Sequence, residues 1–164
     1  MFPEVDEQSL LSGEPIEVVG AFLSHSRQMG DWFVSNASWL ESLQVPDGKW
    51  NGIQTLSHLI FWENWCREHR FGAIIKKLKT LVPSGSDQVN PASVTAFTGN
   101  IRQLTRQLEK ARNQTINELG QTEDEAWDWK SRHPDEGPVD LYRMVTMMAR
   151  HDRTHVLSLL KYRI

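Results

Sequence analysis

The segment His151-Asp152-Arg153-Thr154-His155 carries two imidazoles four residues apart. On a helix that spacing places both on one face, about 6 Å apart along the axis and within reach of one metal ion. A third histidine, His58, lies in another strongly helical segment. Three imidazoles from two helices can hold a divalent metal and leave positions open for water or substrate. The flanking residues favour this reading. His151 continues the apolar stripe of Leu141, Met144 and Met148, and His58 shares a stripe with Phe61, Trp62 and Trp65. An imidazole turned towards a core needs partners for both nitrogens, and two facing helices can meet that need jointly through a metal. The competing reading is a set of solvated or hydrogen-bonded core histidines.

Other chemistry-bearing residues are weaker candidates. Asp152 stands where the His-Glu-x-x-His zinc peptidases carry their general base. It is one methylene shorter, and a solvated or salt-bridged carboxylate is expected. His69 follows His58 by eleven residues, about 16 Å along a helix and too far for the same ion. His25 is a core or surface residue, or a neighbour supporting the ligands. His133, before Pro134, reads as a solvated loop residue. Cys66 lies about 12 Å from His58 along the helix and has little support as ligand or nucleophile. The chain has no Glu-x-x-His of the di-iron bundles, no glycine-rich phosphate loop and no serine elbow. Lys76-Lys77-Leu78-Lys79 reads as a solvated face.

These residues need a scaffold, and the sequence supplies helices. The 164 residues fit a single domain spanning 1–164 with a sizeable core. A net charge of −3 with mixed signs carries no basic footprint for nucleic acid. No apolar run is long enough to span a bilayer, and the N-terminus has no signal-peptide pattern. One cysteine, Cys66, allows no internal disulfide, which suits a reducing cytoplasm. The seven tryptophans fill gaps between helices, with some available to line a pocket.

Four helical stretches follow from the spacing of apolar residues, and no strand alternation is convincing. The first runs from about Pro15 to Leu43, with Gly30 marking a kink or a close packing contact. The second begins at Asn51 as N-cap, pauses near Phe71-Gly72 and continues to Leu78. The third starts at Asn90-Pro91 and repeats Val94, Phe97, Ile101, Leu104, Leu108, Ala111 and Thr115 to Gly120. The fourth starts near Gly137-Pro138 and carries the histidine pair. Between the last two, Trp127 and Trp129 tuck against the bundle. His58 lies near the start of its helix and the pair near the end of theirs. A common metal therefore requires these two helices to run antiparallel; a parallel pair leaves His155 about 13 Å beyond His58. The second and third helices must then be parallel, joined by a crossing of about twelve residues with a reach of roughly 40 Å.

The run Trp50-Asn51-Gly52-Ile53-Gln54-Thr55-Leu56-Ser57-His58-Leu59, followed by His151-Asp152-Arg153-Thr154-His155-Val156, resembles the two signature elements of the DinB/YfiT-like proteins. The resemblance implies an all-α four-helix bundle of up-down-down-up topology. It implies one divalent metal ion, nickel or zinc, on His58, His151 and His155. It also implies a thiol-dependent transferase as the first function, using a low-molecular-weight thiol such as bacillithiol or mycothiol on a small electrophile. Metal-dependent hydrolysis is the alternative. The non-enzymatic reading is a metal- or ligand-binding stress-response bundle. Homodimers are common in the family. The pocket is expected beside the metal, between the first, second and fourth helices, with Gln54, Trp62 and Met148 in its lining.

Overall fold

The computed structural model describes residues 7–77 and 91–163. A short helix, α1 (Glu7–Ser12), precedes α2 (Pro15–Ser35) and α3 (Ala37–Ser42). The second stretch opens with α4 (Gly52–Trp65), widens into a π-helical turn over Cys66–Phe71 and closes with α5 (Gly72–Ile75). A 3-10 turn over Pro91–Thr95 leads to α6 (Ile101–Gly120). A second 3-10 turn (Asp124–Asp128) and a hairpin of β1 (Ser131–His133) and β2 (Gly137–Val139) lead to α7 (Leu141–Leu160).

Local chemistry sets the ends of these elements. Asn51 caps α4 by accepting from the Gln54 N–H, while the Gln54 side chain accepts from the Asn51 N–H, a reciprocal capping box. Asn100 and Gln103 repeat the device at α6. The third helix therefore starts ten residues later than the sequence pattern suggested. Gly99, at φ +148°, breaks the chain just before the cap, so Val94 and Phe97 belong to the approach and not to the seam. Asn90 and the start signal it carries lie outside the described residues, as do Leu78 and Lys79. The fourth helix also starts later, at Asp140, whose carboxylate accepts from the Arg143 N–H. Gly137-Pro138 is committed instead to the hairpin, with Gly137 at φ +73°. That hairpin is too short to show an alternating pattern in the sequence. The first stretch is interrupted at Asn36, whose side-chain amide donates to the Trp32 carbonyl.

Residue pairs fix the directions of the four long helices. Val19 meets Gly120 and Gly30 meets Glu109, so α2 and α6 are antiparallel. Gly52 approaches Ile101 and Glu63 binds Arg112, so α4 and α6 are parallel. His58 faces His155 and Trp62 faces His151, so α4 and α7 are antiparallel. The result is the up-down-down-up four-helix bundle. Gly30 is a packing contact and not a kink: a Cβ there would lie 2.5 Å from Glu109 Oε1. Gly52 is hemmed in by less yielding atoms: an added Cβ would lie 2.8 Å from Leu40 Cβ and 3.1 Å from the Leu40 backbone oxygen.

Two apolar clusters fill the bundle. One, around Phe22, Cys66, Phe71, Trp127 and Met144, lies at one end. The other, around Phe33, Leu56, Ile60, Leu104 and Val156, lies at the other. Along all four helices the residues between these clusters are polar: His25, His58 and Glu63, Arg112, and Asp152 are all buried. The bundle thus has a polar waist. No helix among the described residues is long and apolar enough to cross a membrane.

Candidate metal centre

The three histidines of the sequence argument meet in this waist. His58 comes from the second turn of α4 and is fully buried; His151 and His155 come from α7 and are half-buried. One ligand atom from each lies within 4.8 Å of the others. His151 Nε2 is 3.2 Å from His58 Nε2 and 3.1 Å from His155 Nε2. Tetrahedral coordination with metal–nitrogen bonds of about 2.05 Å sets ligand nitrogens about 3.3 Å apart. Both spacings therefore match those of ligands on one divalent ion, and imidazole nitrogens suit such metals.

Neighbouring groups orient the rings. Ser93, on the 3-10 turn before α6, places Oγ 2.9 Å from His58 Nδ1. A metal on Nε2 makes Nδ1 a donor, and Ser93 Oγ is then its acceptor. Ser93 is itself fixed, because Ser57 Oγ donates to its carbonyl and accepts from the Phe97 N–H. Trp50, just before α4, stacks on His155 at 12° with centroids 5.4 Å apart, and its centroid is 4.6 Å from that of His58. Trp62 presents an edge-to-face contact to His58 at 6.0 Å and to His151 at 5.8 Å. Sequence reading missed Ser93, which carries no motif and arrives from a distant turn. Trp50 was visible only as the residue opening the helix-two motif.

Two cavities flank the centre. One, of about 120 Å³, is lined by Trp62, Cys66, Arg70, Met147, Met148 and His151. The other, of about 260 Å³, reaches His155 beside Trp50, Thr55 and Tyr162. Trp62 and Met148 line the smaller cavity together with His151. Gln54 does not line either cavity, because its side chain is held in the α4 capping box. The first helix lines neither cavity. It contributes His25 to a neighbouring network instead.

That network occupies the other side of the waist. Arg112 of α6 donates from Nε to Glu63 at 2.6 Å and from Nη2 to Asp152 at 2.9 Å. His25 Nε2 lies 3.1 Å from the same Asp152 oxygen, and Thr115 donates to Glu63. Burial alone would raise the Asp152 carboxyl; the Arg112 guanidinium and the His25 hydrogen bond outweigh it and hold the group well below the usual carboxylate range. Asp152 is therefore a salt-bridged structural anion, not an exposed base. Burial pushes the Cys66 thiol up to about 12, so it is no nucleophile. His69 donates from Nδ1 to the Trp65 carbonyl on the exposed side of the helix, away from the centre. His133 departs from its expectation: it is 4% exposed, and its Nδ1 accepts from the backbone N–H groups of Asp135 and Glu136. The hairpin turn draws it inward. Lys77 is exposed, with Nζ 3.7 Å from the centroid of the half-buried Trp129. Trp127 is fully buried against Tyr142.

With the bundle and the centre in view, comparison with known proteins is informative. The model of the DinB superfamily matches residues 22–159. The chain belongs to the DinB superfamily. Among solved structures it is similar to YfiT from Bacillus subtilis, described as a probable metal-dependent hydrolase with an unusual four-helix bundle topology. The two share 15% identity with a TM-score of 0.68, over 89% of this chain and 86% of that one. That likeness is one of fold. No curated protein matches the sequence.

Proposed function

We propose that this DinB superfamily chain is a metal-dependent enzyme, with His58, His151 and His155 holding one nickel or zinc ion and hydrolysis as its reaction class. The observation that carries the proposal is the convergence of three imidazole nitrogens from two antiparallel helices. A bound ion with open positions supplies Lewis acidity and lowers the pKa of a coordinated water towards neutrality. The chain's own residues do the rest. Ser93 holds His58 in one tautomer, Trp50 packs on His155, and Trp62 and Met148 form an apolar wall. Substrate reaches the centre through the two cavities. Similarity to a bundle described as a probable metal-dependent hydrolase supports hydrolysis. The thiol transfer implied by the sequence resemblance would use the same open positions, with a thiol in place of water.

Elemental analysis of purified protein tests the first half, with one nickel or zinc per chain expected. Metal-loaded protein is then assayed on small esters and amides, and on an electrophile with a low-molecular-weight thiol. Turnover of an ester or amide that chelation removes and metal restores supports the reading. Conjugation of the electrophile alone would move the protein to the transferases, and undiminished turnover by metal-free protein would remove the metal from the mechanism.

A further inference from the structure

Arg70 belongs to neither polar cluster of the waist. It is 8% exposed and makes no hydrogen bond or ion pair with any described residue, and its Nε is buried without a partner. The guanidinium carbon instead lies 5.2 Å from the Trp62 ring centroid and 5.1 Å from that of Trp65. The two faces offset part of the cost of burying a cation, but they offer no acceptor to its N–H groups. The nearest buried carboxylates give no help. Glu63 and Asp152 are both bound to Arg112.

The backbone is shaped to put Arg70 there. Counted on an ideal α-helix, Arg70 sits about 120° round from His58. The turn Cys66–Phe71 is π-helical; it advances fewer degrees per residue and rotates Arg70 back onto the face of His58 and Trp62. Such turns recur at functional sites. The outcome is that Arg70 and His151 line the same cavity, with Trp62, Met147 and Met148 as apolar walls. His133 adds to the picture. Its Nδ1 is an acceptor, so the neutral ring carries its proton on Nε2, which is also buried without a partner. Burial first, then the charge of Arg70, lowers its pKa. Two donors of one region thus lack an acceptor.

We infer that Arg70 receives a carboxylate of the substrate, held between Trp62, Met148 and His151 with the reacting group turned to the histidine centre. This rests on the active site lying at that centre. A planar carboxylate matches the guanidinium fork and neutralises one cation with one charge; a phosphate dianion would leave a second negative charge unmatched in the cavity. A cavity of about 120 Å³ limits the bound portion to a few carbons, and its Met and Trp walls suit an aliphatic body. The substrate class is a short-chain carboxylic acid bearing the labile group. Arg70 is then a specificity-determining residue.

Butyrate, 1-butanol and inorganic phosphate are titrated into metal-free and zinc-loaded full-length protein, following the indole N–H resonances of Trp62 and Trp65. Butyrate is expected to shift both resonances in both forms, and 1-butanol to shift neither. Arg70→Met should weaken butyrate by about tenfold or more, and Arg70→Lys should fall between. Helical circular dichroism confirms that each variant is folded, and the Lys variant serves if the Met variant is not. Equal butyrate binding by wild type and a folded variant overturns the inference, as does no binding by wild type. Binding seen only with zinc and unchanged in the variants assigns the anion to the metal, overturning this inference while leaving the metal reading intact. Arg70-dependent binding by a protein that takes up no zinc would do the reverse. Arg70-dependent binding of phosphate alone overturns the carboxylate assignment.

Discussion

The Glu63–Arg112–Asp152–His25 network and the three-histidine centre occupy one level of the bundle and share two helices, α4 and α7. The helix α4 supplies Glu63 to one and His58 to the other; α7 supplies Asp152 to one and its neighbour His151 to the other. In the network, opposite charges meet: one guanidinium holds both carboxylates, with His25 and Thr115 as further partners, and only Arg112 Nη1 among its buried side-chain polar atoms has no acceptor. In the centre, three rings of like kind turn their Nε2 atoms to one point. Three imidazoles have no complementary charge to offer each other. Placing charge in the waist is therefore not what marks a reactive site. The mark is a cluster whose members complement something other than themselves.

The largest effect expected is on the ion-paired side. Arg112→Met leaves two buried carboxylates without their cation, and breaking such a pair costs about 3–5 kcal/mol. Urea denaturation measures it; a loss below about 1 kcal/mol would mean that the network does not hold the waist together. The centre should respond in the opposite way. His151→Ala should abolish stoichiometric metal, seen by elemental analysis, while the metal-free variant stays close to metal-free wild type in urea. Full metal occupancy in that variant would sink the ligand assignment. Bound metal stabilises the folded state by mass action, so chelation should lower the melting temperature by several degrees with the helical signal intact. Loss of that signal would make the metal structural and erase the contrast between the two clusters.

A smaller change sharpens the assignment of Ser93. Ser93→Ala removes the partner of His58 Nδ1 and should weaken metal binding by about 10- to 100-fold, read by competition with a chelator of known affinity. An unchanged affinity would leave Ser93 a purely structural residue. The smallest expected effect at neutral pH concerns Cys66, which borders the centre yet should be inert there. Its folded pKa of about 12 lies above the ordinary thiol value. Its contribution is thus fully present below about pH 9 and lost between about pH 9 and 12, as the unfolded chain releases a proton that the fold retains. Cys66→Ala should flatten that part of the alkaline stability profile, and native wild type should resist thiol reagents at pH 8. Rapid labelling of folded protein would give Cys66 a role denied to it here.

Several features of this protein are local and therefore legible in one dimension. Two histidines one turn apart share a helix face in any fold, and Asn51 caps α4 with groups three residues away. Even the topology followed, because only antiparallel second and fourth helices bring His58 level with His151 and His155. What the sequence misplaced were boundaries where two signals competed. Gly99-Asn100 outweighed the apolar repeat through Val94 and Phe97, and the 131–139 hairpin claimed Gly137-Pro138 and drew His133 inside. Gln54 looked like a pocket residue because its helix face was right, but its amide serves the cap. The tertiary structure alone decided the partners. Ser93 reaches His58 from 35 residues away and Arg112 reaches Asp152 across 40. No periodicity encodes such pairs, because a side chain's partner depends on which helices pack together and at what level. The same holds for Arg70: a π-turn rotates it to the face of His58, where the α-helical spacing of the sequence would have left it turned aside.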